Sequence, residues 1–394
     1  MTTVRRSPAP VQVSAQAPAQ VRVDAERPDV DVAVLGGGCS GLSLAFRLAG
    51  TAVSVRIVEP RESYVADRVW SFWRTRPDPF EDCVIGRWAR WSASARGRHI
   101  VRSSQTLSYE SVSSGLFYRK CVARIDAVPN VRLDLGRRVR SVRPGPTGFR
   151  VETDAGGFCA RHVVDTRPLE TSPSYAQTFI GYEIETAGDV FDAETVELMS
   201  FDTPFGDHIP FTYVLPFARD RALIEATVFG PPGLCPDDVR MRLDSAVRTR
   251  LRHKEHRVLR EEAGSIPMDG THSRPAERGM LPLGVRGGAA RPSTGYAFAR
   301  IQETADMAAD ALLSGSPAAA ADLDGPVTRH MDRLFLKVLQ RHPRRAPDLF
   351  ADMFEHAPPD RLERFLSGST TLADRLATVA ALPPGLFIKT ALGR

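Results

Sequence analysis

The chain has 394 residues, 42% hydrophobic and 25% charged, with a formal net charge of +5. That length suits two domains, or one large domain carrying an insertion, and the composition is that of a globular protein. The positive charge is mostly arginine, with only four lysines, and the most basic stretch, 246–260 (AVRTRLRHKEHRVLR), lacks interleaved aromatics; it reads as a solvated helix face, so nucleic acid is not expected as a partner.

In chain order, residues 1–28 are rich in Pro, Ala and Gln without an apolar core, and read as a disordered leader rather than a secretory signal. DVAVLGGGCSGLSLAFRLA (31–49) is a short apolar run, a glycine cluster and then helical spacing, and VSVRIVEP (53–60) is a second strand ending in an acid. Region 66–118 is rich in Trp, Arg and Ser without strong periodicity. The stretch 131–168 reads as a small β-meander returning to a buried strand at HVVDT. Residues 175–230 alternate apolar and polar as in an antiparallel sheet, 279–315 hold a glycine-rich turn and a helix, and 326–394 are helical, broken by prolines. No apolar run approaches the ~18 residues of a membrane-spanning helix. The five cysteines are widely spaced, with no CxxC or His/Cys cluster, so no metal site and no disulfide framework is expected, and a reducing cytoplasm fits.

Gly36, Gly38 and Gly41 form G-x-G-x-x-G between a strand and a helix. Gly36 permits the tight turn, Gly38 lets backbone approach a pyrophosphate, and Gly41 lets helix and strand pack closely. The helix N-terminus offers amide donors to the phosphates, and Glu59, ending the second strand, is placed to accept from a ribose hydroxyl. The motif is single and early, and Gly287, Gly288 and Gly295 lie in a late glycine-rich turn before a helix (281–313). Together these indicate FAD bound by two distant segments, with no second motif for a separate NAD(P)H domain.

RALIEATVF (221–229) reads as a strand with Leu223, Glu225, Thr227 and Phe229 on one face. A carboxyl among apolar neighbours is either solvated, ion-paired with one of the arginines, or enclosed and chemically active. Spacing alone favours the first two.

The chain resembles the flavoprotein lycopene β-cyclases of the bacterial and plant type, from about residue 30 to its end. The matching stretches run in family order: GGGCSGLSLAFRL, RVWSFW (68–73), YESVSSGLFY (109–118), VVDTRP (163–168), QTFIGYEIE (177–185), FTYVLPF (211–217), LIEAT (223–227), REEAGSIPM (260–268) and RPSTGYAFARI (291–301), with two further stretches in the C-terminal helices. The resemblance implies an α/β fold like that of FAD-dependent hydroxylases: a Rossmann-type FAD-binding domain, an antiparallel-sheet substrate domain and a helical C-terminal region. The expected boundaries are 29–65, 116–170 and 270–315 for the FAD domain, 66–115 and 171–269 for the substrate domain, and 316–394 for the helical region. It also implies reduced FAD with NAD(P)H as reductant, an acyclic carotenoid as substrate, and Glu225 of the LIE-T motif as the catalytic acid.

Protonating a terminal C=C of a ψ end group needs a neutral acid in a dry site, because burial keeps a carboxyl protonated and water would quench the carbocation. Aromatic faces stabilise such a cation; Trp70, Phe72, Trp73, Phe211 and Tyr213 are candidates, and Trp70, Phe72, Phe211 and Tyr213 are expected to line the substrate. Glu183 matches a family position and reads as structural; Glu262 is equally a surface acid or a group near the flavin. The chain departs from the family at Ser200, where an Asp is usual, and at Arg291, where bacterial relatives often carry His. A rival is an FAD-dependent monooxygenase of an apolar terpenoid, but such enzymes usually carry a Gly-Asp turn where this chain reads GVRGGAARPSTGY. The insoluble substrate implies peripheral attachment to a membrane surface through the C-terminal helices.

Overall fold

A computed structural model describes residues 28–170, 172–270, 279–316 and 322–392; the expected leader lies outside these residues except for Pro28. β1 (Val30–Leu35), α1 (Cys39–Leu48) and β2 (Val55–Val58) form the β-α-β unit. β3 (Val69–Trp73), β4 (Val84–Trp88), β5 (Arg90–Ala95), β6 (Arg98–Ser103) and β7 (Tyr109–Ser113) follow. Next come α2 (Ser114–Asp126), β8 (Val131–Asp134), and a meander of β9 (Val139–Gly145), β10 (Gly148–Thr153) and β11 (Gly156–Asp165). The long strands β12 (Ala176–Thr186), β13 (Thr195–Phe201), β14 (Ile209–Pro216) and β15 (Arg221–Gly230) precede α3 (Pro236–Leu251), β16 (His256–Pro267) and β17 (Leu281–Pro282). Helices close the chain: α4 (Phe298–Leu313), α5 (Pro326–Arg341), α6 (Ala346–His356), α7 (Pro359–Ser367), α8 (Leu372–Ala380) and α9 (Pro384–Ala391).

The first sheet runs β8-β2-β1-β11-β10-β9, with β17 added beside β11. β8, β2, β1, β11 and β17 are parallel, and the meander is antiparallel. β1 is almost wholly apolar because both faces are covered: Val32 and Val34 pack with α1 and α2, Ala33 and Leu35 with the meander's Val142, Val151 and Phe158. The second sheet runs β16-β12-β15-β14-β13-β5-β6 and is antiparallel apart from the β13–β5 pair. On its back face Ile224, Ala226 and Val228 bury against Val239, Leu243 and Val247 of α3, which leaves the Glu225 face to look the other way. A small sheet, β3-β7-β4, completes the strands.

Two sequence readings need correction. Region 66–118, which shows no clear period, holds five strands too short to register one. The basic stretch 246–260 is not one helix: α3 ends at Leu251, Arg252 and His253 take positive φ (47° and 68°), and the chain reverses into β16.

The C-terminal helices are tied to the late glycine segment by a buried ion pair. Arg291 is fully buried and donates from Nε (3.0 Å) and Nη2 (2.9 Å) to Asp332 of α5, whose Oδ1 also accepts from Ser293 Oγ (2.8 Å). Arg291 further donates to the Phe365 carbonyl at the end of α7. Removing one partner of a buried pair costs about 3–5 kcal/mol, whereas replacing both by apolar groups is often neutral. Asp332→Ala is therefore expected to lower the calorimetric thermal midpoint by about 5 °C or more, and Arg291→Met with Asp332→Leu to recover most of it.

Candidate active site

One end of the candidate site is built by the turn between β1 and α1. Gly36 has φ +101°, which only glycine adopts without strain. A Cβ on Gly41 would lie 2.0 Å from the Gly36 carbonyl, so α1 can pack on the turn only with glycine there. A Cβ on Gly38 would meet nothing within 4 Å, which leaves open space at the backbone position a pyrophosphate approaches. Glu59 is buried at the end of β2; Oε2 accepts from the Gly37 amide (2.6 Å) and Oε1 from the amide (2.9 Å) and Nε (2.8 Å) of Arg61. The Arg61 guanidinium lies over the Tyr64 and Tyr118 rings at 4.8 and 5.3 Å, and Tyr64 donates to the Gly37 carbonyl (2.9 Å).

The late segment comes back to this turn. β17 adds to the sheet beside β11, and a Cβ on Gly284 would lie 2.0 Å from Ser40 Oγ in the first turn of α1. Gly287 packs on the Pro282 carbonyl, and Gly288 closes the turn with its amide on Val285 O (3.1 Å). Gly295 crosses to the second sheet, where its Cα faces Gln177 of β12. Gln177 lies on the same face as Gly181 and Glu225, so the late segment borders both the nucleotide turn and the Glu225 face.

That face carries a row of four paired residues across β14, β15, β12 and β16: Tyr213, Glu225, Gly181 and Glu262. Gly181 has no side chain, and a Cβ there would lie 2.6 Å from Glu225 Cγ. The missing Cβ lets the carboxyls of Glu225 and Glu262 meet above Gly181 in a hydrogen bond. Both residues are buried, at 6% and 4% exposure. Two carboxyls sharing one bond need a proton between them. Burial first, and the neighbouring Glu262 charge second, push the Glu225 carboxyl well above its usual range. Glu262 is gripped by Arg260, whose Nε also donates to buried Glu183 (3.1 Å); Glu183 accepts in turn from Arg221 Nε (2.8 Å). A chain of alternating charge therefore runs from the sheet edge to Glu262, and Glu225 sits at its apolar end.

Apolar and aromatic groups enclose that end. Leu223, Trp73, Tyr109 and Phe211 belong to one buried cluster, with Tyr213 and Tyr296 packed on it. The Tyr213 and Tyr109 hydroxyls share a 2.9 Å hydrogen bond, and Tyr109 stacks edge-on to Trp73 at 4.8 Å. Phe211 lies opposite Thr227 and meets Phe229 edge-on at 4.9 Å. Of the four aromatics expected at the substrate, Phe211 and Tyr213 thus share the Glu225 face. Trp70 and Phe72 do not. They occupy the opposite face of β3 and stack on Phe298 of α4 at 5.6 and 5.0 Å, within the core of the first sheet. Side chains alternate along β3, so of the aromatic candidates in RVWSFW it is Trp73 that faces the Glu225 side.

Glu262, which the sequence left open between a surface acid and a group near the flavin, is buried beside Glu225, and Gly181 and Arg260 join it without having been singled out. The available signal was the parity of FIGYE and REEAGS, which puts Gly181 and Glu262 in phase with Glu225 once the strand order is known. The raised carboxyl has a consequence for stability. A group whose folded-state pKa lies above its unfolded value favours the fold at low pH and loses that contribution as pH rises. Glu225→Gln removes the penalty, so the thermal midpoint of the variant minus that of the wild type should grow from about pH 4 to pH 8; calorimetry across that range checks the trend.

With this geometry in view, three kinds of likeness agree. A family model described as Lycopene cyclase protein matches residues 31–391. The chain is 31% identical over 254 residues to the lycopene beta-cyclase of Paracoccus sp. (strain N81106 / MBIC 01143), covering 60% of this chain and 63% of the relative. It is 26% identical over 337 residues to the chloroplastic lycopene beta cyclase of an Oncidium hybrid cultivar, covering 77% and 68%, and 26% identical over 322 residues to that of Arabidopsis thaliana, covering 73% and 61%. The chain thus spans about two thirds of the length of these relatives. Among solved structures, a geranylgeranyl bacteriochlorophyll reductase-like protein of Thermoplasma acidophilum aligns with TM-score 0.61 at 12% identity, covering 91% of this chain and 98% of that one. A probable FAD-dependent monooxygenase of Pseudomonas aeruginosa aligns with TM-score 0.55 at 16% identity, covering 80% and 98%. The fold is that of FAD-dependent monooxygenases and their kin, and the chain belongs to the lycopene cyclase protein family, a family of enzymes.

Proposed function

We propose that this enzyme cyclises a ψ end group of lycopene, or of a related acyclic carotenoid, to a β ring by acid–base chemistry. The observation that carries this reading is the Glu225 carboxyl, buried and hydrogen-bonded to Glu262 across Gly181, on the sheet face that meets the late glycine segment.

In this reading segments 29–65, 116–170 and 270–315 hold FAD, with Gly36, Gly38 and Gly41 at the pyrophosphate, Glu59 toward the ribose, and Gly287, Gly288 and Gly295 toward the flavin. The openness at Gly38 and the close approach of Gly284 to Ser40 fit such a ligand. Bound in reduced form, with NAD(P)H as the source of electrons, the flavin supplies negative charge near a developing cation without net redox change. The chain's own residues do the rest. Glu225 gives its proton to C2 of the ψ end, which leaves a cation at C1. The C5=C6 bond attacks C1, and the new cation at C5 loses its C6 proton to the Glu225–Glu262 pair. The proton count closes, and the product is an isomer. Glu262, held by Arg260, positions the Glu225 proton. Tyr213, Phe211, Trp73 and Tyr109 exclude water and offer ring faces to the cation.

The test is expression in a lycopene-accumulating bacterium with pigment chromatography. Cyclised product of unchanged mass is expected, with one deuterium retained per ring when the reaction runs in heavy water, whereas a monooxygenase would add an oxygen atom. Glu225→Gln should lower the rate by about 10²- to 10⁴-fold. Unchanged lycopene in the wild type, or full activity in Glu225→Gln, would count against the proposal.

A further inference from the structure

The C-terminal helices line a cavity of about 230 Å³, larger than the ~150 Å³ void that takes a benzene-sized guest. Phe335, Phe350, Leu382 and Phe387 form much of its wall, and Val379 and Ile388 stand at its rim. Its few polar side chains are already engaged. Ser293 Oγ donates to Asp332, Asp332 is paired with Arg291, and Thr378 Oγ1 donates to the Asp374 carbonyl (3.0 Å). Thr294 Oγ1 accepts from the Tyr296 amide (3.4 Å), and the rest of the lining is apolar, so the cavity suits a hydrocarbon.

Its position relates it to Glu225. Ser293 and Thr294 line the cavity and lead directly into Gly295, which sits on Gln177. Gln177 pairs with Phe229, and the Phe229 ring lies 6.2 Å from Phe350 of the cavity wall. Phe229 is four residues beyond Glu225 on the same face, about 13 Å along the strand at ~3.3 Å per residue. The cavity thus borders the end of the Glu225 face. On the outside, Val379 and Ile388 are 52% and 57% exposed, and Leu376, Leu372 and Leu392 extend the apolar surface along α8 and α9, beside Lys389. Exposed apolar groups with neighbouring cations suit an anionic lipid surface.

We propose that this cavity is a binding site for an acyclic isoprenoid chain: it holds the part of the substrate remote from the reacting end, and the α8–α9 rim is the mouth through which that chain is taken from lipid. This rests on the cyclase reading and extends it.

The test uses the full-length FAD-loaded protein and a fluorescent tetraene that cannot be cyclised, the methyl ester of parinaric acid. Wild type is expected to bind it and to release it when lycopene in detergent is added. Val379→Trp and Leu382→Trp fill the cavity and should each raise the dissociation constant at least tenfold. Met241→Trp, exposed on α3 and outside the cavity, should leave it unchanged. Val379→Trp replaces an exposed side chain, so it reports even where Leu382→Trp does not fold. Filled variants that keep the wild-type thermal midpoint and dissociation constant, or a wild type that binds no tetraene, would overturn the proposal. Cyclisation that persists alongside unaltered binding in the filled variants removes the cavity assignment and leaves the reaction intact; tetraene binding without any cyclisation in the wild type does the reverse.

Discussion

The structure turns on the contact of two carboxyls above a residue with no side chain. Glu225 and Glu262 lie on strands that are not adjacent, since β12 runs between them. They meet only because position 181 is glycine. In water the contact would be negligible. Inside an apolar wall it forces a proton to stay, since two ionised carboxylates that close repel strongly in a low-dielectric medium. The wider sheet supports this state from both ends. Arg260, anchored by Glu183, neutralises Glu262, and the Leu223, Tyr213 and Trp73 side keeps Glu225 dry.

The fold then decides what the acid faces. Covering the back of the second sheet with α3 commits the front to the small sheet, the C-terminal helices and the late segment. Gly295 on Gln177 and Gly284 on Ser40 are the two close approaches that bring the halves together. The buried Arg291–Asp332 pair fastens the C-terminal helices to the same segment, so a nucleotide turn, an acid-bearing sheet and an apolar cavity share one connecting stretch, 283–297. Arg291 thus has a structural role here.

What the sequence revealed follows from the range of the signals involved. The β-α-β unit is legible because its glycines, apolar runs and acid lie within about thirty residues and each has a local reason. The strand parity around Glu225 is equally local. The basic stretch 246–260 misleads because a left-handed turn at Arg252 and His253 carries no glycine to mark it. Trp70 and Phe72 are not separable from Trp73 in the sequence because aromatic residues at adjacent positions belong to different faces, and only tertiary packing says which face lies beside Glu225. Glu262 stays undecided in the sequence and Gly181 unnoticed for a further reason: their contact with Glu225 arises from strand order, and two-strand separation in a sheet leaves no trace in spacing along the chain.

The central claim is that the Glu225 carboxyl is un-ionised at neutral pH inside the folded protein. Infrared difference spectroscopy between wild type and Glu225→Gln tests it without recourse to turnover. The account predicts a protonated-carboxyl C=O band in the wild type at pH 7, shifted in heavy water and absent from the variant. A spectrum showing only carboxylate bands assigned to position 225 would contradict it.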